Sequence, residues 1–219
     1  MRADVQTIRN SMKLYLVIGS SNCKLNPLDV VEQAIAGGVT LLQLREKGPN
    51  AFVGKERDEF ARQVQARCLQ RGIPFIINDD IEWAAELQAD GVHIGQDDAP
   101  LPEVRRRLGN RIIGVSVHNI EEAQRAIEEG ADYLGIGPIY ATTTKLDAQA
   151  VQGTNLIRTL RSQGINIPIV GIGGITAERA GTVIDAGADG VAIVSAITMA
   201  DDVRLETSKL RQAVKSQDL

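Results

Sequence analysis

Two stretches, "IEEGADYLGIGPI" (127–139) and "IDAGADGVAIVSA" (184–196), are near copies of one another. Each finishes an amphipathic helical pattern, stops at a glycine, passes through Ala-Asp and enters an apolar run. A glycine just past a helix takes the left-handed conformation that closes the last turn, because it has no Cβ to clash. A short apolar run directly after it reads as a buried strand. "AIAGGVT" (34–40) carries the same signal, and "ELQADGVHI" (86–94) is a looser version of it.

Outward from these turns, the whole chain repeats the pattern. Eight apolar runs can be counted: "KLYLVIG" (13–19), "TLLQLRE" (40–46), "PFIIND" (74–79), "GVHIG" (91–95), "RIIGVSV" (111–117), "YLGIGPI" (133–139), "IPIVGIG" (167–173) and "GVAIVSA" (190–196). Between them lie polar stretches with apolar residues at helical spacing, such as Leu28–Ala36, Phe52–Gln70, Ile120–Glu129 and Ala177–Ala186. Strands that alternate with helices pair in parallel. Eight such units in 219 residues predict a single (β/α)8 barrel over 1–219, with 1–12 as an N-terminal extension or helix. An open doubly wound sheet is the alternative. It fits less well, because no GxGxxG follows the first run.

Composition narrows the function. The chain is 43% hydrophobic, enough for a full core, and no apolar run is long enough to cross a membrane. The first residues, "MRADVQTIRNSMKLYLV", lack a signal peptide's layout, so a cytoplasmic location is expected. A net charge of -4, with 3% aromatics and no basic arm, disfavours nucleic-acid binding. Cys23 and Cys68 stand apart, outside any CxxC or Cys/His cluster, which disfavours a disulfide framework or a zinc site.

In a barrel of this kind the chemistry sits at the carboxyl ends of the strands. The second run carries Gln43, Arg45 and Lys47 at alternate positions, so all three face one way. Buried cations need partners, so these three either bind an anionic ligand or pair with acids on other strands. The third run ends in Asn78, Asp79 and Asp80, and the fourth in Gly95, Gln96, Asp97 and Asp98. Taken singly, these acids read as helix caps or turns. Taken together, on adjacent strand ends beside cations, they suit an oxygen-liganded divalent ion such as Mg²⁺. The fifth run carries Ser116 and His118. His93 lies mid-run and reads as a satisfied core residue. "ATTTK" (141–145) follows the sixth run, bringing Thr142, Thr144 and Lys145. "GIGGI" (171–175) and the final "VSA" (194–196) fit the phosphate-holding loops common after the last two strands. The mouth therefore has two anionic sub-sites, fitting two phosphorylated substrates or one long one.

The ordered set "QLREK" (43–47), "NDD" (78–80), "GQDD" (95–98), "GVSVHN" (114–119), "GPIYATTTK" (137–145), "AVQG" (150–153), "IVGIGGI" (169–175) and "AIVSAI" (192–197) resembles thiamine-phosphate synthases from about Leu14 to Leu210. The resemblance implies a Mg²⁺-dependent (β/α)8 transferase. It would join 4-amino-2-methyl-5-hydroxymethylpyrimidine diphosphate to 4-methyl-5-(2-hydroxyethyl)thiazole phosphate, giving thiamine monophosphate and pyrophosphate. It implies that Gln43, Arg45, Lys47, Asn78, Ser116 and Lys145 hold the pyrimidine diphosphate. Lys145, Ser116 and Arg45 would serve catalysis, and Asp79 and Asp98 would bind Mg²⁺. Thr142, Thr144, Gly174, Val194 and Ser195 would hold the thiazole phosphate. Homo-oligomers are expected by the same analogy. One departure is "VIGSSNC" (17–23), where the family usually has a Thr-Asp pair. The competing readings are a thiazole tautomerase-like relative, a non-catalytic thiamine-phosphate binder and an unrelated barrel isomerase holding one sugar phosphate.

Overall fold

The structure, a computed structural model, describes residues 3–142 and 151–215. The chain runs α1 (Val5–Ser11), β1 (Leu14–Ile18), a 3₁₀ turn (Ser20–Asn22), α2 (Pro27–Gly37), β2 (Leu41–Leu44), α3 (Gly54–Gln70), β3 (Phe75–Asn78), α4 (Ile81–Glu86), β4 (Gly91–Ile94) and α5 (Leu101–Leu108). It continues with β5 (Ile112–Val117), α6 (Ile120–Glu128), β6 (Tyr133–Ile136), α7 (Asn155–Ser162), β7 (Ile169–Ile172), α8 (Ala177–Asp185), β8 (Gly190–Ile193), α9 (Ser195–Thr198) and α10 (Val203–Lys215). The eight strands close in sequence order, and β8 returns to pair with β1 in parallel. Each apolar run of the sequence holds one strand. The (β/α)8 expectation is met, and the open sheet is ruled out.

The near copies turn out to be a fourfold structural repeat. Gly38, Gly130 and Gly187 stop their helices at φ of 108°, 96° and 106°. In the looser copy Gln88 takes the same role at φ 53°. Two residues later stand Thr40, Asp90, Asp132 and Asp189. Each side-chain oxygen accepts the N–H that opens or nearly opens the preceding strand, from Leu14, Phe75, Ile113 and Ile169, all at 2.8 Å. Each of these residues also donates its own N–H to the carbonyl of that same partner. The turn therefore satisfies main-chain groups at the amino end of each strand pair, where an unpaired buried N–H would be costly. Two copies add an arginine: Arg105 pairs with Asp132 at 2.6 Å, and Arg161 with Asp189 at 2.7 Å.

Two layers of core result. Leu16, Leu42, Ile77, Val92, Leu134 and Val191 point outward into the shell of helices. Tyr15, Val17, Leu41, Ile76, Tyr133, Val170 and Ala192 fill the barrel interior. Ile8 and Met12, on and just after α1, are buried in that inner cluster. Because α1 leads straight into β1, it closes the barrel at the amino ends of the strands. The opposite end is left for the site.

Candidate active site

The carboxyl ends of the strands surround a cavity of about 450 Å³, within the range of small-molecule sites. Gln43, Arg45, Asn78, Ser116, Thr142, Gly174, Val194 and Ser195 all line it. These residues come from six different βα segments spread over about 150 positions of sequence, and closure of the barrel alone brings them together. Thr144 and Lys145 lie outside the described residues.

Lys47, Asp79 and Asp98 form a group beside Asn78. The Lys47 ammonium is ion-paired with the Asp79 carboxylate, and the Asp79 carboxyl also lies against that of Asp98. Lys47 thus has the acidic partner that the sequence left open. Burial first, and then the neighbouring Asp98, hold the Asp79 carboxyl above its ordinary range, against the opposing pull of Lys47. The Asp79 backbone is at φ 61°, a left-handed conformation that costs a residue bearing a Cβ. Its N–H is tied to the carbonyl of His93 at 2.8 Å, across to β4. Asp98 is held from below, accepting the N–H of Gly95 at 2.7 Å. The capping reading belongs instead to Asp80, whose carboxylate accepts the Trp83 N–H at 2.9 Å and starts α4. Adjacent carboxylates in one "NDD" stretch therefore do different work.

Among the described residues no group of three or more His, Cys, Asp and Glu side chains converges. The pair Asp79 and Asp98 suits a hard cation that takes one or two protein carboxylates and completes its shell with water and phosphate oxygens. The chemistry of this donor set, two carboxyl groups side by side with no thiol or imidazole among them, fits Mg²⁺ better than a softer metal.

At the other end of the cavity, Gly173 and Gly174 follow β7 at φ 100° and 63°. A Cβ on Gly174 would sit 2.5 Å from the carbonyl oxygen of Ala141, so only glycine fits there. Val194 then turns the chain out of β8, and Ser195 opens α9, a short extra helix. This is the usual construction of a phosphate site in such barrels.

The loop after β1, where the sequence departs from its expected pattern, is tied to β2. Glu46 accepts the Ser20 N–H at 2.6 Å, the Ser20 hydroxyl at 2.7 Å and the Phe52 N–H at 3.0 Å. Asn22 from this loop lines the cavity. The sequence reading assigned no role to Asn22, Thr176 or Arg179, which also line it. Arg179 lies over the Tyr140 ring and donates to the Gly174 carbonyl at 3.0 Å. Its position in the first turn of α8, just after "GIGGI", was the available signal. His93 is hydrogen-bonded through both ring nitrogens, as a core histidine should be, yet it also lines the cavity. His118 lines the cavity too, and Glu122 holds it at 3.0 Å.

Residues 14–197 match the family model described as thiamine monophosphate synthase. The chain is 51% identical to a thiamine-phosphate synthase of Bacillus cereus over 214 residues, covering 98% of both chains. It is 53% identical to the thiamine-phosphate synthase of Bacillus velezensis, covering 98% of this chain and 96% of that one. Among solved structures it is similar to a thiamine phosphate pyrophosphorylase from Pyrococcus furiosus, with a TM-score of 0.84 and 34% identity, covering 95% of this chain and 98% of that one.

Proposed function

The chain belongs to the thiamine monophosphate synthase family, and on that premise we propose how its residues carry out the transfer. The enzyme condenses the pyrimidine diphosphate with the thiazole phosphate, giving thiamine monophosphate and pyrophosphate. One observation supports the detailed reading: the cavity is lined at one end by Arg45 and Asn78, with the Lys47, Asp79 and Asp98 group beside them, and at the other by Gly174 and Ser195. A tautomerase needs no diphosphate end, and a sugar-phosphate isomerase would leave Gln43, Arg45 and Lys47 without a task.

Gln43, Asn78 and Ser116 present polar atoms where the pyrimidine would sit, while Arg45 and Lys47 face its diphosphate. Lys145, outside the described residues, joins that set. Thr142 and Thr144, with Gly174, Val194 and Ser195, hold the thiazole phosphate. Asp79 and Asp98 would hold Mg²⁺, which when bound neutralises charge growing on the departing pyrophosphate. The transfer is dissociative. The bond from the pyrimidine methylene to the diphosphate oxygen breaks first, its electron pair leaving with pyrophosphate. The aminopyrimidine then carries the positive methylene until the thiazole nitrogen attacks. No protein nucleophile is required. Val17, Val170 and Ala192 give the cavity an apolar wall, which keeps water from the methylene cation. No helix among the described residues is long and apolar enough to cross a membrane, and we place the reaction in the cytoplasm, in a homo-oligomer.

The test is to mix both substrates with the protein and follow pyrophosphate and thiamine monophosphate, before and after EDTA and after Mg²⁺ is restored. Both products appear in equal amounts, and chelation stops both. Binding of both substrates without turnover would instead indicate a sensor. Lys145→Ala should lower kcat by about 10²–10³-fold, the scale for losing one preorganised charge; near-normal kcat removes Lys145 from the set.

A further inference from the structure

Five side chains form an unbroken hydrogen-bonded line through the barrel interior, and all but Tyr133 line the cavity. The Gln43 amide N–H donates to the Tyr15 hydroxyl. The Tyr15 and Tyr133 hydroxyls are 2.9 Å apart. The Tyr133 hydroxyl meets His93 Nδ1 at 2.8 Å, and His93 Nε2 meets the Ser116 hydroxyl at 2.9 Å. The line begins on β2 and ends on β5, and both of its ends open into the cavity. Tyr15 is 1% exposed, Tyr133 0% and Gln43 3%.

Space has been cleared for this line. A Cβ on Gly114 would fall 2.0 Å from Tyr133 Cζ, and one on Gly135 would fall 3.0 Å from His93 Cε1. Two strand positions therefore carry no side chain so that the tyrosine and imidazole rings can meet. Glycine inside a strand weakens it, so the arrangement is maintained at a cost. Buried polar groups in so apolar an interior are favourable only when every one is satisfied.

We propose that this line is a one-way relay that locks Ser116 as a hydrogen-bond donor into the cavity, with Tyr15, Tyr133 and His93 as positioning residues. The direction follows from proton counting. An amide nitrogen can only donate, so Tyr15 accepts from Gln43 and must pass its own proton on. Tyr133 accepts that proton and donates to His93 Nδ1. His93 is then neutral with its proton on Nε2, and it donates to Ser116. The Ser116 proton points upward, to whatever occupies the cavity. Gln43, anchored through its nitrogen, presents its carbonyl oxygen to the same occupant. The two ends thus offer one donor and one acceptor in a fixed relation, which suits the edge of an aminopyrimidine ring. Burial raises both tyrosine hydroxyls well above their ordinary titration range, which keeps them protonated. The functional half of this inference rests on the proposed pyrimidine site.

The structural half is tested without substrate. The chain has two histidines, so ¹⁵N spectra of histidine-labelled protein resolve them, with His118→Asn assigning the pair. His93 should carry its proton on Nε2, with a hydrogen-bonded Nδ1, and Tyr133→Phe should shift that Nδ1 resonance toward the free value. A proton on Nδ1 in the unaltered protein would mean that the line runs the other way, and an unmoved resonance in Tyr133→Phe would mean that Tyr133 does not donate; either overturns the relay. In the kinetic arm, Tyr15→Phe and Tyr133→Phe should each lower kcat/KM for the pyrimidine diphosphate by about three- to tenfold, the scale of one neutral hydrogen bond. KM for the thiazole phosphate should not move. The double variant should be no worse than the poorer single one, because one break already disables the line. Multiplying effects, or an equal rise in both KM values, would reduce the tyrosines to packing. An intact tautomer with no turnover of these substrates would leave the relay standing and remove the pyrimidine assignment.

Discussion

Asp79 combines a left-handed backbone, a half-buried carboxylate and a proposed metal role, and replacing it separates these contributions. At φ 61° a residue with a Cβ is strained by about 1–2 kcal/mol. Asp79→Ala keeps that strain and loses the carboxylate. Asp79→Gly loses both, at an entropic cost in the unfolded chain of about 0.4–1 kcal/mol. Both variants remove the crowding against Asp98 and the pairing with Lys47, so these terms cancel in the comparison. Glycine should therefore be more stable than alanine by about 1 kcal/mol. For a domain of this size that is about 2–4 °C in melting temperature. Differential scanning calorimetry of the two variants, side by side, reads the difference. Their synthase activity should fall together, by about 10²–10³-fold, because neither keeps the carboxylate. If alanine melted with glycine, the strain at Asp79 would not exist. If the glycine variant kept its Mg²⁺ response, Asp79 would not be a ligand.

Three further outcomes are expected. Mg²⁺ should stabilise the protein at pH 7.5 by about 1.4 kcal/mol at ten times its Kd, and by less near pH 4. The folded-state carboxyl of Asp79 is held above its ordinary 3.8, so stability falls as pH rises through that window and a bound cation restores it; equal melting shifts at both pH values would contradict this. Asp132→Ala should cost about 3 kcal/mol, read as a lower urea midpoint with an unchanged slope, since Asp132 is 3% exposed at its side chain and its loss takes the acceptor from the Ile113 N–H and the paired carboxylate from Arg105, which keeps its carbonyl acceptors. Thr40→Val, at the equivalent turn, should cost about 1 kcal/mol, and equal losses would refute the role of the arginine. Burial pushes the Cys23 and Cys68 thiols up to about 12, leaving about a thousandth of an ordinary cysteine's thiolate at pH 8. Iodoacetamide should label the folded protein far more slowly than the urea-unfolded chain, as mass spectrometry will show.

The barrel was legible because its signals are local. A glycine stop, a period-3.6 stretch and a short apolar run each depend on near neighbours, and eight repeats leave few ways to close the sheet. Even the copy in which Gln88 replaces glycine was recognisable from the Ala-Asp that follows it. The cavity residues were legible for a related reason: once strands are parallel and closed, their carboxyl ends share one mouth. Partnerships across the barrel were not legible. Nothing near Asp79 and Asp80 in the sequence says that one caps α4 while the other meets Lys47 and Asp98. Tyr15 and Tyr133 stand 118 positions apart, and His93, which reads as a satisfied core residue, has both ring nitrogens bonded but is only half-buried and lines the cavity. Which inward side chains touch depends on the strand stagger and on rings fitting over Gly114 and Gly135. Those contacts exist only after closure, when each strand's interior face is set against residues that no local pattern can name.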